Sequence, residues 1–134
     1  MSVDVPKTAP WLAIIDDDGP VRVGLSRLCT ALGMRATVHS SGHEFIDAID
    51  AGGSLPDCLV LDTQMPGMTG FEMQRVLAGR SLRIPTVVVT ADDSPEARAR
   101  YVAAGVTEFL PKPIDGDELL AAIERAMRAA GARG

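Results

Sequence analysis

Cys58-Leu59-Val60-Leu61 is a continuous apolar run, and Asp62 follows it directly. A short run of this kind, bounded by polar turns, fits a strand buried on both faces, as in the interior of a parallel sheet. The same pattern recurs on either side. Trp11-Leu12-Ala13-Ile14-Ile15 is apolar throughout and is followed by Asp16 and Asp17. Thr86-Val87-Val88-Val89 is wholly β-branched and is followed by Thr90. Arg35 to His39 makes a weaker strand, and Thr107 to Leu110 makes a further one, with Lys112 just beyond it.

Helical signals fill the gaps between these runs. Pro20 suits the first turn of a helix whose apolar positions are Val21, Leu25, Leu28 and Leu32, with Gly33 as its stop. Ser41 with Glu44 forms a capping box for a helix through Ala51, ended by Gly52-Gly53. After a turn containing Pro66, Gly67 and Gly70, Thr69 with Glu72 caps a helix bearing Met73, Val76 and Leu77. Ser94-Pro95 opens another, closed by Gly105, and Asp115 with Glu118 opens the last, whose stripe is Leu119, Ile123 and Met127. Strict strand–helix alternation implies a parallel sheet with helices on both faces. The expected fold class is α/β: a five-stranded parallel sheet, flavodoxin-like and doubly wound as (βα)5, with strand order 2-1-3-4-5. The domain is expected to span residues 8–130, with 1–7 and 131–134 as flexible termini.

Composition narrows the function classes. With 134 residues the chain holds one ordinary domain. Its 18 acidic and 13 basic residues leave a net charge of -5, which disfavours direct contact with nucleic acid or anionic membrane. No stretch is long and apolar enough to span a bilayer, and residues 1–11 lack a signal-peptide layout. Cys29 and Cys58 have no metal or redox spacing, and they read as buried thiols in a reducing compartment, the cytoplasm.

The chemistry-bearing residues share one position within their units. Asp16 and Asp17, Asp62, Thr90 and Lys112 all stand just after a strand. In a parallel sheet those ends lie along one edge, where the ligand crevice forms. Each residue alone has an ordinary explanation: a helix cap, an Asx-turn, a strand-end hydroxyl, a solvated lysine. Together they are complementary. Two carboxylates about 4 Å apart repel by about 4 kcal/mol at a near-surface dielectric, so a cluster of three calls for a divalent cation. Hard oxygen ligands with room for water favour magnesium, with manganese as a substitute. Carboxylate, cation, lysine and hydroxyl form a set for phosphoryl transfer, one carboxylate becoming an aspartyl-phosphate.

Several pieces, in this order, resemble a response regulator receiver domain. They are Ile15-Asp16-Asp17, Asp62-Thr63-Gln64-Met65-Pro66-Gly67-Met68-Thr69-Gly70, Thr90-Ala91 and Leu110-Pro111-Lys112-Pro113. The resemblance implies that Asp62 is the phosphoacceptor and Asp17 a direct metal ligand, assisted by Asp16. It implies that Gln64 gives its backbone carbonyl to magnesium, and that Ala91 keeps the phosphoryl pocket open. Thr90 matches the switch hydroxyl, Lys112 the ion-pairing lysine and Pro113 the proline of a cis bond. Phe109 matches a rotating switch aromatic, here without a hydroxyl; it also reads as a plain core residue. Gln64 and Asp92 match positions that tune dephosphorylation, and Pro111 is a departure that removes a backbone donor. The implied partners are a sensor histidine kinase or phosphotransfer protein upstream, and a protein partner or a missing output domain downstream. A phosphorylation-dependent dimer is a further option. Output would come from the face of helix four, strand five and helix five. The domain would not be an enzyme beyond its own phosphorylation and dephosphorylation.

Rival readings remain at this level. Asp16-Asp17-Asp18-Gly19 also resembles the nucleophile motif of haloacid dehalogenase-like phosphatases, with Asp16 attacking and Asp18 as acid/base. That reading leaves Asp62 unexplained. A phosphorylation-independent adaptor would not need the acids, and a flavodoxin would need a less acidic first loop. Arg98, Arg100 and Tyr101 read either as a partner surface or as a solvated helical face with one packed ring.

Overall fold

A computed structural model describes residues 9–63, 67–106 and 108–133. The strands are β1 (Trp11–Ile15), β2 (Arg35–His39), β3 (Cys58–Asp62), β4 (Thr86–Thr90) and β5 (Glu108–Pro111). Between and after them lie α1 (Gly19–Ala31), α2 (Gly42–Asp50), α3 (Gly70–Gly79), α4 (Pro95–Ala103) and α5 (Gly116–Arg133). All pairings are parallel, as the alternation implied, and the sheet order is β2-β1-β3-β4-β5, the one expected of the flavodoxin-like fold. Chain reversal occurs between β1 and β3, which leaves a crevice at their C-terminal ends.

Side-chain alternation along the strands builds two apolar layers. Leu12, Ile14, Cys58, Val60, Val87 and Val89 face α1 and α5, meeting Leu25, Cys29, Leu119 and Ile123. Ala13, Ile15, Leu59 and Leu61 face α2 and α3, meeting Phe45, Ile46, Met73 and Leu77. A third, smaller cluster joins Val88 to Tyr101 of α4 and Val106, with Phe71 and Phe109 packed against it. β3 and β4 are buried along their whole length, which explains their unbroken apolar sequences. β2 is an edge strand and stays half exposed, which explains its weaker signal.

The caps follow the local chemistry. Asp18, Ser41, Thr69 and Ser94 accept from Val21, Glu44, Glu72 and Ala97 N–H groups respectively. The Ser41 box is one-armed, because the Glu44 carboxylate takes the Ser40 hydroxyl at 2.6 Å instead. α3 ends on Ser81 at φ 58°, a left-handed conformation that Gly33 supplies after α1 at φ 87°. Pro111 is accommodated because Lys112 N–H donates to Thr90 O at 2.7 Å. Alternate residues of a strand address the same neighbour, so the Pro111 nitrogen faces the open edge of the sheet, where no donor is required. α5 continues to Arg133, beyond the expected domain end at 130.

Candidate functional site

β1 delivers Asp16 to the sheet edge, and its N–H extends the ladder by donating to His39 O at 3.2 Å. The loop that follows is fixed by its own polar groups. Asp16 Oδ1 accepts from Asp18 N–H at 2.9 Å, and Arg22 of α1 donates to the Asp16 carbonyl at 2.7 Å. Asp18 is committed to capping α1, its Oδ1 accepting from Val21 N–H at 3.1 Å. Asp17 is left exposed at the rim.

β3 delivers Asp62 beside this loop. Asp16, Asp17 and Asp62 each present a carboxylate oxygen within 4.8 Å of the others. Asp16 and Asp62 are buried. Lys112, arriving from the end of β5, places Nζ 3.5 Å from Asp62 Oδ1 and 4.0 Å from Asp16 Oδ2. Asp16, Asp62 and Lys112 continue the strand phases that face α1 and α5, so the sheet aims all three into one recess. Three carboxylates thus stand close together, with the Lys112 ammonium beside two of them. Burial is the main influence that raises the Asp16 carboxyl above its ordinary value. The Asp18 hydrogen bond and Lys112 pull it down, while the Asp62 and Asp17 charges push it up. An all-oxygen set with two buried ligands and one solvent-facing ligand suits a hard divalent cation that retains water. Gln64, expected to add a backbone carbonyl, lies outside the described residues.

Thr90 ends β4 and is buried. Its hydroxyl belongs to the opposite strand phase, shared with Val88, and faces away from the acids. Thr90 Oγ1 lies 2.9 Å from Thr63 Oγ1, accepts from Asp92 N–H at 2.9 Å and donates to Asp92 O at 3.2 Å. The Asp92 carboxylate turns toward α4 and accepts from Ser94 N–H at 3.0 Å, a bond that holds its carboxyl below the ordinary aspartate range. Ala91 is exposed between them. The Lys112–Pro113 peptide bond is cis.

Behind Thr90 lies a pocket of ≈ 190 Å³, walled by Thr63, Phe71, Thr90, Asp92, Arg100 and Tyr101 among others. Tyr101, rather than Phe109, reaches this space. Phe109 packs against it, with ring centroids 6.1 Å apart, and the Arg98 guanidinium lies over the Phe109 ring at 4.8 Å. The Tyr101 hydroxyl accepts a hydrogen bond from the Phe71 amide, and burial is the main influence raising its pKa. Gly70 makes this approach feasible, since a Cβ there would stand 3.2 Å from that hydroxyl and 3.0 Å from Asp62 O.

The structure thus gathers Asp16, Asp17, Asp62 and Lys112 into one recess, with Thr90 beside it but turned away and Phe109 a layer further out. Sequence reading missed Thr63 and Arg22. The register was the available signal for Thr63: Asp62 pairs with Val89, so the next residues, Thr63 and Thr90, fall side by side on one face. Nothing in the sequence signals the Arg22 bond, because it depends on the path of the β1–α1 loop. The geometry also disfavours the phosphatase rival, since its acid/base candidate, Asp18, is occupied as a helix cap.

Residues 12–124 match the family model for the response regulator receiver domain. The chain is 35% identical over 114 residues to the DNA-binding transcriptional regulator NtrC of Klebsiella pneumoniae, covering 85% of this chain and 24% of that protein. It is 37% identical over 117 residues to the response regulator MprA of Mycobacterium tuberculosis, covering 87% and 50% respectively. The chain therefore spans a quarter to a half of the length of these relatives. Among solved structures, a response regulator receiver protein from Burkholderia phymatum superposes with a TM-score of 0.79 at 35% identity, covering 89% of this chain and 95% of that one. The structure of FixJ-N superposes at 0.82 with 30% identity, covering 90% and 95%. The chain belongs to the response regulator receiver domains of two-component signalling, a family whose function is phosphorylation on an aspartate.

Proposed function

We propose that Asp62 is the phosphoacceptor of this receiver and that Asp16 and Asp17 complete a magnesium site with it. The observation that carries the reading is the Asp16–Asp17–Asp62 cluster with Lys112 Nζ 3.5 Å from Asp62. Magnesium, or manganese in its place, held by these three carboxylates and the Gln64 carbonyl, would supply neutralisation of the phosphoryl oxygens. The remaining work falls to the chain. An Asp62 oxygen attacks phosphorus of a phosphohistidine presented by a sensor histidine kinase or phosphotransfer protein. The P–N bond breaks, its electron pair leaves with the imidazole, and an acyl phosphate forms on Asp62. Lys112 stays beside the new phosphoryl group as its ion-pairing lysine, and Thr90 turns from Asp92 to donate to it. Vacating the Thr90 position enlarges the pocket in front of Tyr101, toward which the Tyr101–Phe109 pair can move. The face of α4, β5 and α5 changes with it. Hydrolysis of the acyl phosphate resets the domain, so its only catalysis is on itself, and we assign the tuning of that rate to Gln64 and Asp92.

The chain's relatives are longer, so we assign output to a downstream protein, to a fused output domain or to a phosphorylation-dependent dimer, within the cytoplasm. Among the described residues no helix is long and apolar enough to cross a membrane. The test uses a small phosphodonor such as acetyl phosphate with magnesium, followed by mapping of the acid-labile label. Label is expected on Asp62, and Asp62→Asn should lose it while retaining the fold by circular dichroism. Undiminished labelling of Asp62→Asn at neutral pH, or turnover through Asp16, would refute the assignment.

A further inference from the structure

Thr63 follows the proposed acceptor directly and has no part in the scheme above, yet its hydroxyl lies 2.9 Å from that of Thr90. Proton accounting gives this contact a direction. A threonine hydroxyl carries one proton and two lone pairs. Thr90 donates its proton to Asp92 O and accepts from Asp92 N–H. Its remaining lone pair is therefore filled by Thr63, whose hydroxyl is the donor. Thr90 is fully satisfied in this arrangement and is buried at 1% exposure, with its proton directed away from Asp62.

The backbone of Thr63 is held as well. Its carbonyl accepts from Gly70 N–H at 3.4 Å at the start of α3, and a Cβ on Gly70 would stand 3.4 Å from the Thr63 Cα. The Thr63 hydroxyl thus links the β3–α3 junction, anchored against α3, to the end of β4.

We propose that Thr63 is a positioning residue that holds the Thr90 hydroxyl in the resting orientation and so sets the ease with which this receiver switches. The inference rests on the receiver reading of the site. For Thr90 to donate to a phosphoryl group on Asp62, its hydroxyl must leave both Thr63 and Asp92. Removing the Thr63 bond weakens the resting state alone. A larger fraction of molecules then holds the binding-competent arrangement, and the apparent affinity for a phosphoryl mimic rises by that fraction. Asp92 still satisfies Thr90 as donor and acceptor, so no buried hydroxyl is orphaned by the change.

The experiment titrates the 134-residue chain with beryllofluoride in saturating magnesium, alongside Thr63→Val and Thr63→Ser. Valine keeps the volume and removes the hydroxyl, whereas serine keeps the hydroxyl. Thr63→Val should bind beryllofluoride about fivefold more tightly, the equivalent of one neutral hydrogen bond of about 1 kcal/mol. Its affinity for magnesium alone should stay within about twofold of the parent, as that site is untouched. Its unliganded Thr90 methyl resonance should move toward the position seen with beryllofluoride, and Thr63→Ser should return both readouts to the parent values. Unchanged or weaker beryllofluoride binding by Thr63→Val, or a serine variant that behaves like valine, overturns the inference while leaving the receiver reading intact. Failure of the parent chain to bind beryllofluoride with magnesium overturns both.

Discussion

Replacing Lys112 by methionine isolates the charge balance of the acidic recess, because Lys112→Met keeps an unbranched apolar stem and deletes the ammonium. That ammonium stands 3.5 Å from Asp62 and 4.0 Å from Asp16, both buried. At a near-surface dielectric each pair is worth about 4 kcal/mol before desolvation. The lysine side chain is 32% exposed, so solvent screens part of that attraction. Truncating one partner of a well-buried pair costs about 3–5 kcal/mol, and the exposure places this site below that range. A loss of about 2 kcal/mol in unfolding free energy is expected at pH 7 in EDTA, read from urea titrations at constant m.

The sign with pH follows from Asp16, whose carboxyl lies above its ordinary value of 3.8 in the fold. A group raised on folding contributes stability that is fully present below its unfolded pKa and is lost as pH rises through its folded pKa. Lys112 is one of the influences that lower the Asp16 value, so Lys112→Met raises it further and enlarges that loss at neutral pH. The difference between parent and variant should therefore be greatest near pH 7 and shrink as pH falls through the raised Asp16 value, below which that carboxyl is neutral. Saturating magnesium at pH 7 should narrow the difference by supplying the missing positive charge. A penalty that is flat with pH and indifferent to magnesium would show that lost packing, not charge, sets the effect, and would refute the electrostatic account of the recess.

Two further outcomes test the scaffold. Ser81 holds φ 58° at the end of α3, so Ser81→Gly should raise stability by about 0.5–1 kcal/mol in urea titrations; a loss would mean the side chain is needed there. Thr69 caps α3 through Glu72 N–H at 3.1 Å, so Thr69→Ala should lower stability by about 1 kcal/mol. Because α3 starts beside the Asp62 carbonyl, the same variant should slow phosphorylation by acetyl phosphate more than Ser81→Gly does.

How far the sequence carries is clearest at the strand ends. The apolar runs at β1, β3 and β4 are legible because both faces of each are buried, which removes any alternation that would confuse them with a half-exposed sheet. Their phase alone put Asp16, Asp62, Thr90 and Lys112 on one edge. β2 gave a weaker signal because it lies at an edge of the sheet and stays half exposed. The expected order already puts the strand that ends at Pro111 on the sheet edge, whereas the direction its nitrogen faces is set by the register with β4.

The one-dimensional pattern determined the fold class, the parallel order, the helix caps and the presence of an acidic recess, since these follow from period, polarity and local hydrogen-bonding chemistry. Only the tertiary structure decided how the polar groups partition among themselves. Asp18 serves the helix rather than the recess, Thr90 turns to Thr63 and Asp92 rather than Asp62, and Tyr101 takes the place nearest the pocket ahead of Phe109. A hydroxyl or carboxylate reaches whatever partner stands about 3 Å away. That partner is set by strand register and loop path, which bring together residues as far apart in the chain as Thr63 and Thr90.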